Sequence, residues 1–318
     1  MIALVTGCAG FIGSTLSEKL LAGGARVLGV DALTDYYNPR IKRRNLAGIL
    51  KHPRFEFHRA DLNRMDLERL VRRVDVIFHE AAQPGVRASW GQSFNIYIEC
   101  NIRATQKLLE AVKGARNIRK FVFASSSSVY GKVDRLPMRE SQRCSPHSPY
   151  GVTKMASENL CQLYHANYGV PTVSLRYFTV YGPRQRPDMA FHRFIGAALA
   201  GKTIRIYGDG RQSRDFTFVA DIVAANIAAA GRGKPGGIYN LGGGSRVRLQ
   251  DALDTLAQRA GVKIRLKRET KAQGDVDHTS ADTSAARRDL KFRPVTTLAD
   301  GLAAQISWHR RMMEEGVL

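Results

Sequence analysis

Short apolar runs separated by longer amphipathic stretches dominate the first half of the chain. The runs near residues 2–6, 26–31, 55–59, 74–79, 120–125 and 171–176 are too short for helices and are largely unbroken by polar residues. Strands buried on both faces read this way. Between them the apolar positions recur with the helical period, at greatest length from Gln92 to Ala115 and from Pro149 to Tyr168. Such alternation predicts an α/β chain with a parallel, doubly wound sheet. After Tyr177 the pattern becomes irregular and richer in Arg, Gly and Pro, with helices expected near 188–200, 249–260 and 297–314 around short strands. A smaller α/β domain is therefore expected over 181–318, following a larger one over 1–180. Residues 215–230 are expected to return to the first domain, because Phe216-Thr217-Phe218-Val219 followed by an Ala-rich helix reads as one more βα unit.

The first strand runs straight into Gly7, Gly10 and Gly13, a G-x-x-G-x-x-G pattern. In a βα turn, the first glycine permits the tight bend. The second lets backbone N–H groups approach a pyrophosphate, and the third lets helix and strand pack closely. The pyrophosphate then meets the positive end of the helix dipole. The next strand ends in Asp31. A carboxylate there accepts from a ribose 2′-hydroxyl and repels a 2′-phosphate, so this Rossmann arrangement predicts NAD rather than NADP.

A second constellation lies further along. Ser125-Ser126-Ser127-Ser128-Val129-Tyr130-Gly131 is followed by Tyr150-Gly151-Val152-Thr153-Lys154. The i, i+4 spacing puts Tyr150 and Lys154 on one helical face. A phenol is a poor base at neutral pH, but a neighbouring ammonium favours the phenolate. The pair is therefore expected to move a proton to and from a hydroxyl, with a serine sharing it.

Composition adds limits. At 318 residues with 44% hydrophobic content the chain can bury a full core. No apolar run approaches the length of a membrane span, so no membrane association is expected. Met1 leads directly into the first strand, with no signal-like segment, and Cys8, Cys100, Cys144 and Cys161 are widely spaced. Reduced thiols and a cytoplasmic location are expected. Cys8 and His79 read as packing residues, and the histidines show no metal-ligand spacing, so no metal is expected. The formal charge of +21 is unusual. Its densest runs, Arg40 to Arg44 and Arg265 to Lys271, lack interleaved aromatics and read as solvated surface, not as a nucleic-acid site. The positive field would steer an anionic substrate.

Taken in order, the glycine pattern, Asp61-Leu62, His79-Glu80-Ala81-Ala82, the serine run, Tyr150 with Lys154, Arg176-Tyr177-Phe178-Thr179-Val180-Tyr181-Gly182-Pro183, Tyr207-Gly208-Asp209-Gly210 and Arg214-Asp215-Phe216 resemble the extended short-chain dehydrogenase/reductase family. The resemblance runs from Met1 to about residue 313 and is to its nucleotide-sugar epimerases. Gln83 to Gly91 and Gly182 to Arg193 look like the bacterial UDP-glucuronate 4-epimerases. The resemblance implies a UDP-sugar 4-epimerase with a nucleotide-sugar-binding second domain. Tyr150, Lys154 and Ser126 are then its catalytic residues. NAD would lie against Gly7, Gly10, Phe11, Ile12, Gly13, Asp31, Asp61, Leu62, Ala81, Ala82, Asn101, Ser125, Tyr150, Lys154 and Tyr177. The sugar nucleotide would meet Gly85, Val86, Arg87, Ser126, Ser127, Tyr150, Phe178, Thr179 and Arg186, then Phe191, Arg193, Tyr207, Arg214 and Asp275. Arg186 resembles the residue that holds a sugar carboxylate, with Arg87 a second candidate, while Arg193 and Arg214 suit the diphosphate.

Departures from the family pattern matter too. Ser127 and Ser128 stand where dehydratases carry an Asp-Glu pair and where decarboxylases carry a Glu in that region, which favours epimerisation. Thr179 replaces the Asn of many glucose 4-epimerases. Ala272 replaces an Arg that touches UDP, leaving Lys271, Arg268 or nothing in that role. A UDP-glucose or UDP-N-acetylglucosamine 4-epimerase is the alternative, followed by a decarboxylase or a non-catalytic NAD- or RNA-binding protein. The family resemblance also implies a homodimer joined through a four-helix bundle. The stretch Arg103 to Val112 fits that role and fits packing on the sheet equally well.

Overall fold

The computed structural model describes residues 1–244, 246–270 and 276–318. Strands β1 (Ile2–Thr6), β2 (Arg26–Asp31), β3 (Phe55–Arg59), β4 (Val76–His79), β5 (Lys120–Ser126) and β6 (Thr172–Tyr177) alternate with helices. Those helices are α1 (Phe11–Ala22), α2 (Pro39–Leu46), α3 (Leu67–Val71), α4 (Phe94–Tyr97), α5 (Ala104–Val112) and α6 (Pro149–Tyr168), with a π-helical turn at Ile98–Arg103 joining α4 to α5. The remaining elements are β7 (Thr179–Tyr181), α7 (Ala190–Leu199), β8 (Ile204–Tyr207), β9 (Ser213–Phe218), α8 (Val219–Arg232), β10 (Gly237–Leu241), β11 (Arg246–Arg248), α9 (Leu249–Ala260), β12 (Leu266–Glu269) and α10 (Leu298–Glu314).

Among the described residues the strands form three sheets. The largest has the order β10-β6-β5-β4-β1-β2-β3, and every pairing in it is parallel. Its centre is apolar on both faces: Ala3, Leu4 and Val5 of β1, like Phe121 and Val122 of β5, are fully buried. Helices covering both sides make such runs possible. Strand order reverses between β1 and β4, so a crevice opens beyond their carboxyl ends. Thr6-Gly7 and His79-Glu80 lie at that point.

The segment 215–230 divides its loyalties. Its strand, β9, lies between β11 and β7 in a three-stranded sheet, while α8 packs on β5 and β6. Strand β10 supplies the seventh strand of the large sheet, an element with no counterpart in the strand pattern read from the sequence. A separate apolar cluster joins Phe194, Ile195, Ile204, Leu253, Leu256 and Ile306 from α7, β8, α9 and α10. The Ala104, Leu108, Leu109 and Val112 face of α5 is buried in the core beside α3 and β5, so that stretch packs within the chain.

Local chemistry sets the limits of α6, the helix that carries Tyr150. Ser148 Oγ accepts from Gly151 N at 3.1 Å, Pro149 occupies the first turn, and Gly169 closes the helix at φ 69°. These are the cap, the pre-set φ and the left-handed stop that helix ends favour. Further along, Glu158 accepts two bonds from Arg176, at 2.6 and 3.0 Å, and one from Ser125 Oγ at 2.5 Å. Both members of this ion pair are almost wholly buried. Arg176 also donates to Tyr130 Oη at 2.8 Å, which in turn donates to Asn240 Oδ1 at 2.7 Å. The network clamps α6 across β5, β6 and β10. Glu158→Gln leaves Arg176 a buried cation without its counter-charge. We expect the denaturant-unfolding midpoint to fall by the equivalent of about 3–5 kcal/mol, measured on purified protein by circular dichroism.

Candidate active site

A cavity of about 990 Å³ extends from the glycine turn after β1, across the carboxyl ends of β4 and β5, to β8 and β9. Its glycine end is shaped for a dinucleotide. Gly7 adopts φ 70°, and a side chain there would come within 2.8 Å of Ala81 N. A side chain at Gly13 would strike the Gly7 carbonyl. Helix α1 begins at Gly10 with no side-chain cap, so its first N–H groups face the cavity mouth as donors for an anion. Asp31 accepts from Ala9 N at 3.0 Å and Leu33 N at 2.8 Å, which fixes its carboxylate at the end of β2. Phe11, Ile12, Asp61, Leu62, Ala81, Ala82, Ser125 and Tyr177 line the same space. These residues fit NAD.

Asn101 does not line it. The side chain is buried, with Oδ1 accepting from Gln83 N at 2.7 Å and Nδ2 donating to Gln83 O and Thr153 Oγ1. All its polar capacity goes into joining the π-helical turn to the Gln83 loop and α6. Its expected place as a cofactor contact is thus replaced by one as a scaffold.

Tyr150 sits in the first turn of α6 beside the end of β5. Gly151 allows this approach, since a Cβ there would lie 2.6 Å from Ser128 O. Ser126 Oγ accepts from Ser128 N at 3.1 Å, so its own O–H remains to serve Tyr150. Burial raises the Tyr150 pKa, while the charge of Arg186 and a hydrogen bond with Ser126 pull it down. Lys154 lies one turn along, but its ammonium donates to Ala124 O at 2.7 Å and stands over the Phe123 ring. Burial lowers the Lys154 pKa to about 8, with Glu80 acting against that. Arg186 thus joins Lys154 as a cation beside Tyr150, and its charge favours the phenolate.

Arg186 is held by the loop that carries it. Arg184, at φ 69°, reaches back to Ser14 Oγ at 3.3 Å and Glu18 at 2.7 Å on α1. Gln185 is buried and donates to Val180 O at 3.0 Å. Between these anchors Arg186 makes a two-pronged pair with Asp188, at 3.0 and 2.9 Å. Tyr36 Oη donates to the same carboxylate at 3.4 Å, linking the loop after β2 to the loop before α7.

Gly85, Val86, Ser127, Phe178 and Thr179 line the middle of the cavity, and Arg87, Arg193, Tyr207 and Arg214 its far end. The Arg87 guanidinium stacks 4.2 Å from the Tyr207 ring centre, and Arg214 donates to Ser213 O and Asp277 O at 3.0 Å. Arg205 joins them. This concentration of guanidinium groups suits a diphosphate. Phe191 is not among the lining residues: it is buried, its ring 4.7 Å from Phe216 and 5.5 Å from Tyr181. Its apolar position in an amphipathic helix turns it into the core, which corrects its expected role in substrate contact. Asp275 lies outside the described residues, as do Lys271 and Ala272. Arg268 is exposed on β12, away from the cavity lining.

Several lining residues have no role in the sequence reading. Lys42, placed there in a solvated basic run, is buried and donates to Thr34 O at 2.8 Å beside Asp31. Its position on the inward face of α2 was the available signal. Tyr36, Tyr37, Glu80, Gln83 and Asp188 also line the cavity. Among the described residues no group of three or more His, Cys, Asp or Glu could hold a metal. No helix there is long and apolar enough to cross a membrane.

The sheet order, glycine turn and Tyr-Lys helix together define a dinucleotide-dependent enzyme of the epimerase and dehydratase class. Residues 3–242 match the model of the NAD dependent epimerase/dehydratase family, and the chain belongs to that family. It is 46% identical over 315 residues to an uncharacterized UDP-glucose epimerase of Bacillus subtilis, covering 97% of this chain and 98% of that one. A UDP-glucuronate 4-epimerase of Thermodesulfobacterium geofontis is 37% identical over 318 residues, covering 98% and 97%. The crystal structure of UDP-glucuronic acid 4-epimerase from Bacillus cereus with UDP-glucuronic acid and NAD superposes with a TM-score of 0.95. That protein is 41% identical, over 98% of this chain and 100% of its own.

Arg186→Gln removes the charge that lowers the Tyr150 pKa. A base acts in its deprotonated form, so the rising limb of the activity–pH profile should move to higher pH. Measuring kcat against pH for wild type and variant, an unmoved limb would show that Arg186 does not act on Tyr150.

Proposed function

We propose that this protein is an NAD-dependent 4-epimerase that interconverts UDP-glucuronate and UDP-galacturonate. The observation that carries this reading is the guanidinium of Arg186 set beside Tyr150 and Ser126 in one cavity. NAD, when bound, supplies the acceptor and donor of the C4 hydride. Tyr150 takes the C4 hydroxyl proton and returns it after the sugar has turned. Ser126 bridges the phenol and the substrate oxygen. Lys154, fixed by Ala124 O, lies next to Tyr150 on the same helical face and is assigned to the nicotinamide ribose. Arg87, Arg193 and Arg214 take the diphosphate.

Removing hydride from C4 of a glucuronate leaves a β-keto acid, which loses carbon dioxide when the breaking bond overlaps the ketone. An ion pair to Arg186 holds the carboxylate out of that alignment and distinguishes it from an uncharged hydroxymethyl group. Ser127 and Ser128 provide no second acid or base for elimination. The second reading is a UDP-glucose 4-epimerase. The pairing of Asp188 on Arg186 favours it, because that guanidinium already has a carboxylate.

Purified protein is expected to carry NAD and to convert UDP-glucuronate at least tenfold more efficiently than UDP-glucose, with products resolved by chromatography. Tyr150→Phe should lower turnover about 10²-fold or more with the fold intact. Arg186→Ala should lower kcat/KM on UDP-glucuronate about 10- to 100-fold, the loss of one charge-assisted bond, and release some 4-keto-pentose. Equal efficiency on both sugars, with Arg186→Ala affecting both alike, would replace this reading with the second.

A homodimer through α4 and α6 is part of the proposal. Ile96, Val152 and Leu163 lie on these helices at 53%, 43% and 53% exposure, an apolar surface suited to a partner copy. Leu163→Glu combined with Ile96→Glu should yield monomers by light scattering; a mass unchanged from wild type would point to another interface.

A further inference from the structure

Glu80 is a carboxylate that the proton transfer above does not use. It follows β4 at the crossover point of the sheet, directly beside the glycine turn, and lines the cavity. One oxygen accepts from Tyr177 Oη at 2.7 Å, and Tyr177 in turn pairs with Asn226 of α8, whose Nδ2 donates to it at 2.8 Å. Lys154 of α6 is the cation that acts on it. Its hydrogen bond comes from a neutral phenol, and the charge of Lys154 acts on it without an ion pair among the described residues. Glu80 and Lys154 both line the cavity and lie close enough for each charge to act on the other.

We propose that Glu80, in its ionised form, sets the redox balance of bound NAD by favouring the oxidised nicotinamide over the reduced one. The oxidised ring is cationic and the reduced ring is neutral, so a carboxylate in a water-poor cavity stabilises only the first. In a 4-epimerase the hydride taken from sugar C4 must go back to that carbon. An environment that penalises the reduced ring drives this return and, when the keto sugar escapes, loosens the reduced cofactor so that NAD can replace it. Lys154, as a cation lining the same cavity, has the opposite effect on the ring. Glu80 is a positioning residue in this scheme, because it exchanges neither hydride nor proton with the sugar. Burial raises its pKa to about 7, with the Tyr177 bond and Lys154 acting against that. The carboxylate is fully charged only above neutral pH, so the measurement is made at about pH 8 to 9, where its effect is greatest.

The test measures the preference of the holoprotein for NAD over NADH, independently of any sugar. Wild type, Glu80→Gln, Glu80→Asp and Tyr177→Phe are incubated with an excess of an equimolar mixture of NAD and NADH until exchange is complete. Free dinucleotide is removed, and the bound species are released and resolved by chromatography. Glu80→Gln keeps an acceptor for Tyr177 but loses the charge. Its bound NADH:NAD ratio should rise about tenfold or more over wild type, equivalent to ~30 mV for a two-electron couple. Glu80→Asp keeps the charge and should stay within about threefold of wild type. Tyr177→Phe removes the donor that favours the carboxylate, and should move the ratio the same way as Glu80→Gln by a smaller factor, which covers the case of a poorly folding Gln variant. A Glu80→Gln ratio within about twofold of wild type, or Gln and Asp variants that behave alike, would overturn the proposal. A wild type that binds neither dinucleotide would overturn the cofactor assignment as well, so the two failures are distinct.

Discussion

One face of α6 presents Tyr150, Lys154 and Glu158 at successive turns to the end of β5, and each meets a different group there. Tyr150 meets Ser126, Lys154 donates to Ala124 O, and Glu158 accepts from Ser125. The seam requires the helix to lie unusually close to the strand end, which Gly151 permits. Its far end is secured by the buried Glu158–Arg176 pair, with Tyr130 and Asn240 behind it. A proton-transferring phenol is useful only where its partner hydroxyl and the substrate oxygen meet it within hydrogen-bond reach. The contacts of this seam hold Tyr150 and Ser126 within that reach.

Electrostatics divide the cavity. The acids Asp31 and Asp61 lie toward the glycine turn, while Arg87, Arg193, Arg205 and Arg214 gather at the opposite end. The acidic and the basic lining are thus separated along the cavity. Between them Arg186 is bound to Asp188 and acts on Tyr150, so one guanidinium joins the loop before α7 to the acidity of the phenol. The overall charge of +21 is spread well beyond this site, and a broad positive field draws in an anionic sugar nucleotide irrespective of salt bridges at the surface.

Much of this was legible in the chain itself. The strands from β1 to β6 follow from apolar runs of fixed length, because a parallel sheet covered on both faces demands them. The glycine turn, Asp31, and the pairing of Tyr150 with Lys154 are likewise local patterns in which spacing alone determines which side chains share a face. Gly85, Arg87, Thr179, Arg186 and Arg214, singled out by the resemblance, all line the cavity. The membership itself rests on matches spanning nearly the whole chain.

Other assignments depended on contacts between residues far apart in sequence. Phe191 faces the core and not the sugar, since Tyr181 and Phe216 close around it only when α7 docks on β7 and β9. Asn101 spends its amide on Gln83 and Thr153, a bond set that exists only once α6 lies against the π-helical turn. Lys42 looks like one more surface cation until α2 turns it toward Thr34 and Asp31. Arg186 acts on Tyr150 although 36 residues separate them, while the Lys154 ammonium donates to a backbone carbonyl of β5. The sequence alone determined the periodic elements and the local motifs, for these are fixed by steric spacing along the backbone. Which charged and aromatic groups face one another was decided only by the tertiary structure, since burial and Coulomb energies depend on distances that the chain acquires when it folds.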